Sequence, residues 1–125
     1  MLTLSVLPER LGICRLAPDE VLPVWVTESS FFSITRTLDE LSVVCAEPVI
    51  PEGITSEKGW RCLKVHGPLD FSLTGILSSL LHPLAKANIS VFALSTYDTD
   101  YVLVKAIDLE RAKAVLLEEG IKVFG

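Results

Sequence analysis

Ile89-Ser-Val-Phe-Ala-Leu-Ser-Thr-Tyr-Asp-Thr-Asp-Tyr-Val-Leu-Val-Lys105 holds two β-rich runs, 89–97 and 101–105, on either side of Asp98-Thr99-Asp100. β-branched and aromatic residues suit a pleated, half-buried backbone, and a short Asp/Thr cluster suits a tight turn, so the stretch predicts a hairpin. Upstream, Leu73, Ile76, Leu77, Leu80, Leu81 and Leu84 recur at the three-and-four spacing of a helix with one apolar face. Asp70 or Ser72 is placed to cap its start and Asn88 its end, while Pro83 inside it removes a donor and predicts a kink. A strand over 60–65 precedes this helix. Downstream, Asp108 caps a second helix carrying Leu109, Ala112, Val115 and Leu116, Gly120 ends it, and a last strand covers 121–124. Strand, helix, strand, strand, helix, strand is the split βαβ of a ferredoxin-like α+β unit.

The first half of the chain reads mainly as strands, over 2–6, 12–16, 31–36 and 41–45, with one short helix at 23–28. Shifted by 60, Phe32-Ser-Ile-Thr faces Phe92-Ala-Leu-Ser, and Leu41-Ser-Val-Val faces Tyr101-Val-Leu-Val. Two related modules, the first abbreviated, explain the echo, and so does the general likeness of short apolar strands. Residues 46–59, with two prolines and three glutamates, read as a linker, giving an N-terminal module over 1–58 and a C-terminal one over 59–125.

Composition narrows the function. The chain has 125 residues, enough for one compact domain or two very small intertwined ones, and 50% of them are hydrophobic against 22% charged. A net charge of -5 argues against nucleic acid, which is held through clustered Lys and Arg. Cys14, Cys45 and Cys62 are odd in number and far apart, so they read as buried thiols of a cytoplasmic protein rather than a disulfide framework or a metal site. No stretch approaches the roughly 18 apolar residues of a membrane span.

Gly67-Pro-Leu-Asp-Phe-Ser-Leu-Thr-Gly-Ile-Leu77 and Ile89 to Val104 together resemble the ACT domain family. With Ser29-Ser-Phe-Phe-Ser-Ile-Thr-Arg-Thr37, the likeness extends to small two-module bacterial ACT proteins and to CASTOR-type arginine sensors, of which this chain would equal half. The resemblance implies a tandem ACT fold, a homodimer, and an amino-acid effector held between ACT modules to regulate a separate protein. Carried over by position, it implies that Asp70, Leu73, Gly75 and Ile76 form the loop and helix start. Thr96, Tyr97 and Asp100 would come from the hairpin, and Ser90 and Val91 from a facing module. Where an arginine sensor carries an acidic residue at the helix start, this chain has Leu73, with Asp70 the nearest carboxylate.

Physical chemistry gives these positions a role to play. A free amino acid needs donors for its carboxylate and acceptors for its ammonium. A helix start offers the former and acidic hairpin residues the latter. Gly75 either lets a ligand approach the backbone or merely lets helix and sheet pack. Ser95 and Thr96 alternate along a strand, so only one of them can meet a given ligand, and the ACT resemblance implies Thr96. Asp98 reads as a solvated turn residue, Tyr97 and Phe71 as flanking aromatics or core, and Arg36 as a surface cation. His66 and His82 lack acidic or Cys partners in helical register, so neither a metal nor another cofactor is expected. An enzyme would have to build its chemistry from Asp70, Asp98 and Asp100, which lack the usual His or Lys partners. The remaining alternative is a structural module that pairs through its sheet edges without a ligand.

Overall fold

The structure is a computed structural model that describes residues 2–67, 69–70 and 74–125. Its strands are β1 (Thr3–Leu16), β2 (Ser33–Arg36), β3 (Leu41–Ala46), β4 (Ser56–Val65), β5 (Val91–Ser95), β6 (Asp100–Lys105) and β7 (Lys122–Phe124). Two α-helices, α1 (Ile76–Lys86) and α2 (Leu109–Glu118), follow β4 and β6. Short 3₁₀ turns occupy Val24–Glu28, Glu47–Val49 and Ala106–Asp108. The chain divides into two compact units, one formed by residues 1–8 with 61–125 and the other by residues 9–60.

In the larger unit the strand order is β7-β1-β4-β6-β5, with β7 parallel to β1 through Thr3↔Lys122 and Ser5↔Phe124. One apolar core joins sheet and helices: Leu4, Leu63, Val65, Val102 and Val104 meet Leu80, Leu84, Leu109, Ala112 and Leu116. The three-and-four spacing within each helix is what turns these side chains onto one face. Both helices end on a left-handed residue, Asn88 (φ 60°) and Gly120 (φ 78°). In each case the next amide folds back, Ile89 N–H to Leu84 O and Ile121 N–H to Leu116 O, both at 3.0 Å, satisfying carbonyls the helix leaves open.

The smaller unit orders its strands β2-β3-β1-β4 around a second core of Cys14, Leu16, Val26, Leu41, Val43, Cys45 and Ile50. Among its described residues the helical segments are 3₁₀ turns only. The three cysteines are buried. Cys45 and Cys14 interact through their thiols: this contact, reinforced by burial, pushes Cys45 far up, while the bond from Cys45 pulls Cys14 down against its own burial.

Several boundaries differ from those the sequence predicts. Residues 2–6 and 12–16 belong to one strand, because the φ that proline fixes is compatible with extended backbone. Pro8 also lies outside both the 3–5 stretch paired with β7 and the 11–16 stretch paired with β3, so its missing N–H breaks neither ladder. The expected linker over 46–59 is structured: Pro48 opens a 3₁₀ turn, Ile50 is buried, and β4 starts at Ser56. The expected short helix at 23–28 is a 3₁₀ turn. Helix α1 starts at Ile76 because Gly75 is left-handed (φ 76°), and it carries Pro83 within its span to Lys86. Asp108 makes no side-chain cap; its carboxylate instead accepts from Arg111 Nη2 at 3.2 Å. Both hairpins form, but their registers, Ser33↔Val44 and Phe92↔Leu103, are offset by 59 positions and not 60. A one-residue slip reverses every side chain in a strand, so only the 59 offset superimposes the buried runs Val43–Cys45 and Val102–Val104.

Candidate functional site

Three contacts fasten the hairpin turn to the loop leaving β4. The Leu69 amide donates to Asp98 O at 2.7 Å, and the Thr99 hydroxyl, 4% exposed, donates to Val65 O at 2.8 Å. Gly67 completes the fit, since a Cβ there would stand 3.1 Å from Asp98 O and from Thr99 Cβ. The turn is closed internally by the Thr96 amide and hydroxyl, both donating to Thr99 O, at 2.9 and 3.1 Å.

Between this turn and the start of α1 lies a concavity of about 280 Å³. From the loop and helix it is lined by Leu69, Asp70, Gly75, Ile76 and Leu77, and from the hairpin by Ser95, Thr96, Tyr97, Asp98, Thr99 and Asp100. The first amide to bond within the helix is that of Ser79, to Gly75 O at 2.9 Å. The amides of Ile76, Leu77 and Ser78 therefore have no intrahelical acceptor, and Gly75 has no side chain to cap them. The helix dipole adds positive character at that end. Opposite stand the carboxyl groups of Asp98 and Asp100, the latter accepting from Ser95 Oγ at 2.6 Å. The lining contains three aspartates and no Lys, Arg, His or Cys. The wall made by the loop and helix start thus carries backbone donors together with Asp70, and the wall made by the hairpin carries Asp98 and Asp100, groups that suit the ammonium and carboxylate of a zwitterion. No group of three or more His, Cys, Asp and Glu among the described residues is arranged to hold a metal ion.

Of the residues expected from sequence, Asp70, Gly75, Ile76, Thr96, Tyr97 and Asp100 line this concavity together. Leu73, with Phe71 and Ser72, falls outside the described residues. Ser90 and Val91 do not line it; Val91 pairs with Val104 at the far end of β5, roughly 17 Å along the strand from Thr96. Ser95 lines it as well as Thr96, because β5 ends at Ser95 and Thr96 already belongs to the turn, where strand alternation no longer applies. Gly75 is not a packing glycine, since a Cβ there would meet nothing within 4 Å. Thr99, Leu69 and Leu77 were not anticipated. Thr99 owes its position to a carbonyl 34 residues away, for which local sequence carries no signal. His66 lies apart, hydrogen-bonded to Ser5 Oγ at 2.5 Å and stacked on Phe124.

A two-helix, antiparallel-hairpin unit with its concavity at the first helix start defines the class: the model of the ACT domain matches residues 55–118, half of the chain, and the chain belongs to the ACT domain family. A second family model, of an N-terminal domain, matches residues 9–53. More particularly, the chain is similar to a protein of Agrobacterium tumefaciens known from its crystal structure, at 40% identity and a TM-score of 0.93, covering 98% of this chain and 92% of that one. It is 34% identical over 90 residues to the Bos taurus cytosolic arginine sensor for mTORC1 subunit 1, across 63% of this chain and 27% of the sensor. The regulatory subunit of aspartate kinase from Thermus thermophilus shares the fold, with a TM-score of 0.63 at 12% identity over 92% of this chain and 95% of that one. The chain spans between 27% and 59% of the length of such curated relatives. No described helix is long and apolar enough to cross a membrane.

Proposed function

We propose that the chain is a regulatory module that binds a free amino acid in the concavity between the start of α1 and the turn of the β5–β6 hairpin. One observation carries this reading: the start of α1, which no side chain caps, and three aspartates line a single 280 Å³ space. The ligand's carboxylate meets the amides of Ile76 to Ser78, and its ammonium meets Asp98, Asp100 or Asp70. Gly75, Thr96 and Tyr97 frame it, and Leu73 is part of the same proposed set of ligand-binding residues. In a homodimer, Ser90 and Val91 of the second copy cover the ligand, so the site is shared between modules. Tandem ACT organisation, a cytoplasmic setting, a non-catalytic role and a separate regulated protein belong to the same reading. Support comes from the regulatory and sensor roles carried in the names of the relatives.

Calorimetry and thermal denaturation against the twenty amino acids test it. A true effector at a hundred times its Kd stabilises the native state by about 2.7 kcal/mol, and binding is lost in Asp100→Asn. No heat and no thermal shift with any of the twenty would sink the proposal. One observation favours a second reading, a pairing module without ligand: β2 and β5 stand at the edges of their sheets. Under that reading a proline at Ala93 in β5 abolishes self-association while amino acids remain without effect.

A further inference from the structure

The constant 59-residue offset allows the two hairpins to be compared position by position. Arg36, paired with Leu41, corresponds to Ser95, paired with Asp100. The loops facing them also correspond, because Pro18 and Glu20 follow the end of β1 by the same intervals as Gly67 and Leu69 follow the end of β4. Between Ser95 and Leu69 in the larger unit there is open space, the concavity itself. Across the matching interval of the smaller unit lies a side chain. The Arg36 guanidinium donates through Nη2 to Glu20 O at 2.7 Å and through Nη1 to Pro18 O.

From this we infer that Arg36 is a built-in occupant of the N-terminal unit, bridging hairpin and loop as an effector does in the C-terminal unit, so that each chain holds one effector site. A guanidinium suits the task because its planar fork presents several donors at fixed angles and stays charged at any working pH, whereas an ammonium is a single point. The same loop carries a turn bond of its own, Glu20 N–H to Ala17 O at 3.1 Å. Serine at the equivalent position is too short to make that bridge, which leaves its space open to a free molecule.

The count of one site per chain rests on the amino-acid reading above; the role of Arg36 does not, and two arms of one experiment separate them. Hydrogen exchange is followed at the Glu20 amide and at its neighbours Asp19, Val21 and Leu22 in the full chain carrying Arg36→Ala. Exchange there speeds up about tenfold, the factor one net hydrogen bond is worth. Excess ethylguanidinium restores protection, ethylammonium does not, and Arg36→Lys exchanges as fast as the alanine variant. Unchanged exchange in Arg36→Ala, or equal rescue by both cations, overturns the inference. In the second arm, whichever of the twenty amino acids binds the natural chain does so once per chain, and a stoichiometry of two overturns it. If none binds, the effector reading fails while the exchange arm still decides the role of Arg36.

Discussion

Thr99 and Gly75 hold the candidate site through different physics. The Thr99 hydroxyl is a buried donor to a strand carbonyl, so Thr99→Val leaves Val65 O unsatisfied and lowers unfolding free energy by about 1–2 kcal/mol, measured by urea denaturation. Thr99→Ser keeps the donor and loses less. Gly75 has room for a methyl group but sits at φ 76°, so Gly75→Ala costs about 1–2 kcal/mol through backbone strain alone. Gly75→Asn costs less, since asparagine tolerates the left-handed region. An alanine variant as stable as the natural chain would show that the left-handed conformation is not retained. Six of the nine positions that the ACT resemblance implies share the concavity, because that resemblance rests on motifs spanning the loop, the helix start and the turn. Thr99 was not anticipated, because its partner is distant in sequence. Ser95 differs from expectation because the strand ends two residues earlier than the apolar pattern suggests.

Among the elements, α1 combines a stripe that specifies it with a residue that opposes it. Leu84 is fully buried in the larger core, and Leu84→Ala costs about 2–5 kcal/mol. Pro83 is also buried and denies Ser79 O its helical donor. Replacing it by alanine regains most of about 3 kcal/mol of helix propensity and forfeits roughly 1.5 kcal/mol of apolar burial. Pro83→Ala is therefore expected to raise stability by about 1 kcal/mol, and a fall in the denaturation midpoint would contradict the balance. Hairpins and helices were legible because each announces itself within ten or twenty residues. β1 was not, since the Pro8-Glu9-Arg10 interruption looks like a break when only local preference is weighed.

For the whole molecule, the chain between the units runs through strands: β1 and β4 each contribute residues to both. Leu4, 1% exposed, belongs to the core of the unit that ends at Gly125. A fragment of residues 59–125 lacks that side chain and the strand that β7 pairs with, and is expected to give a collapsed amide spectrum where the full chain gives a dispersed one. A well-dispersed spectrum from the fragment would show that residues 1–8 are dispensable. The sequence disclosed the ACT unit through its second half. It did not disclose that Thr3 to Ser5 supply a strand beside residues 122–124, because such pairing leaves no local trace.

That pairing also sets an order of events during synthesis. Residues 9–60 can assemble once β4 has begun to emerge from the ribosome, but Thr3 to Ser5 must wait for Lys122 to Phe124. The edge of Thr3 to Ser5 that faces β7 thus stays unpaired, next to an apolar Leu4, through more than a hundred residues of translation. During that interval the nascent chain is most exposed to chaperones and to aggregation.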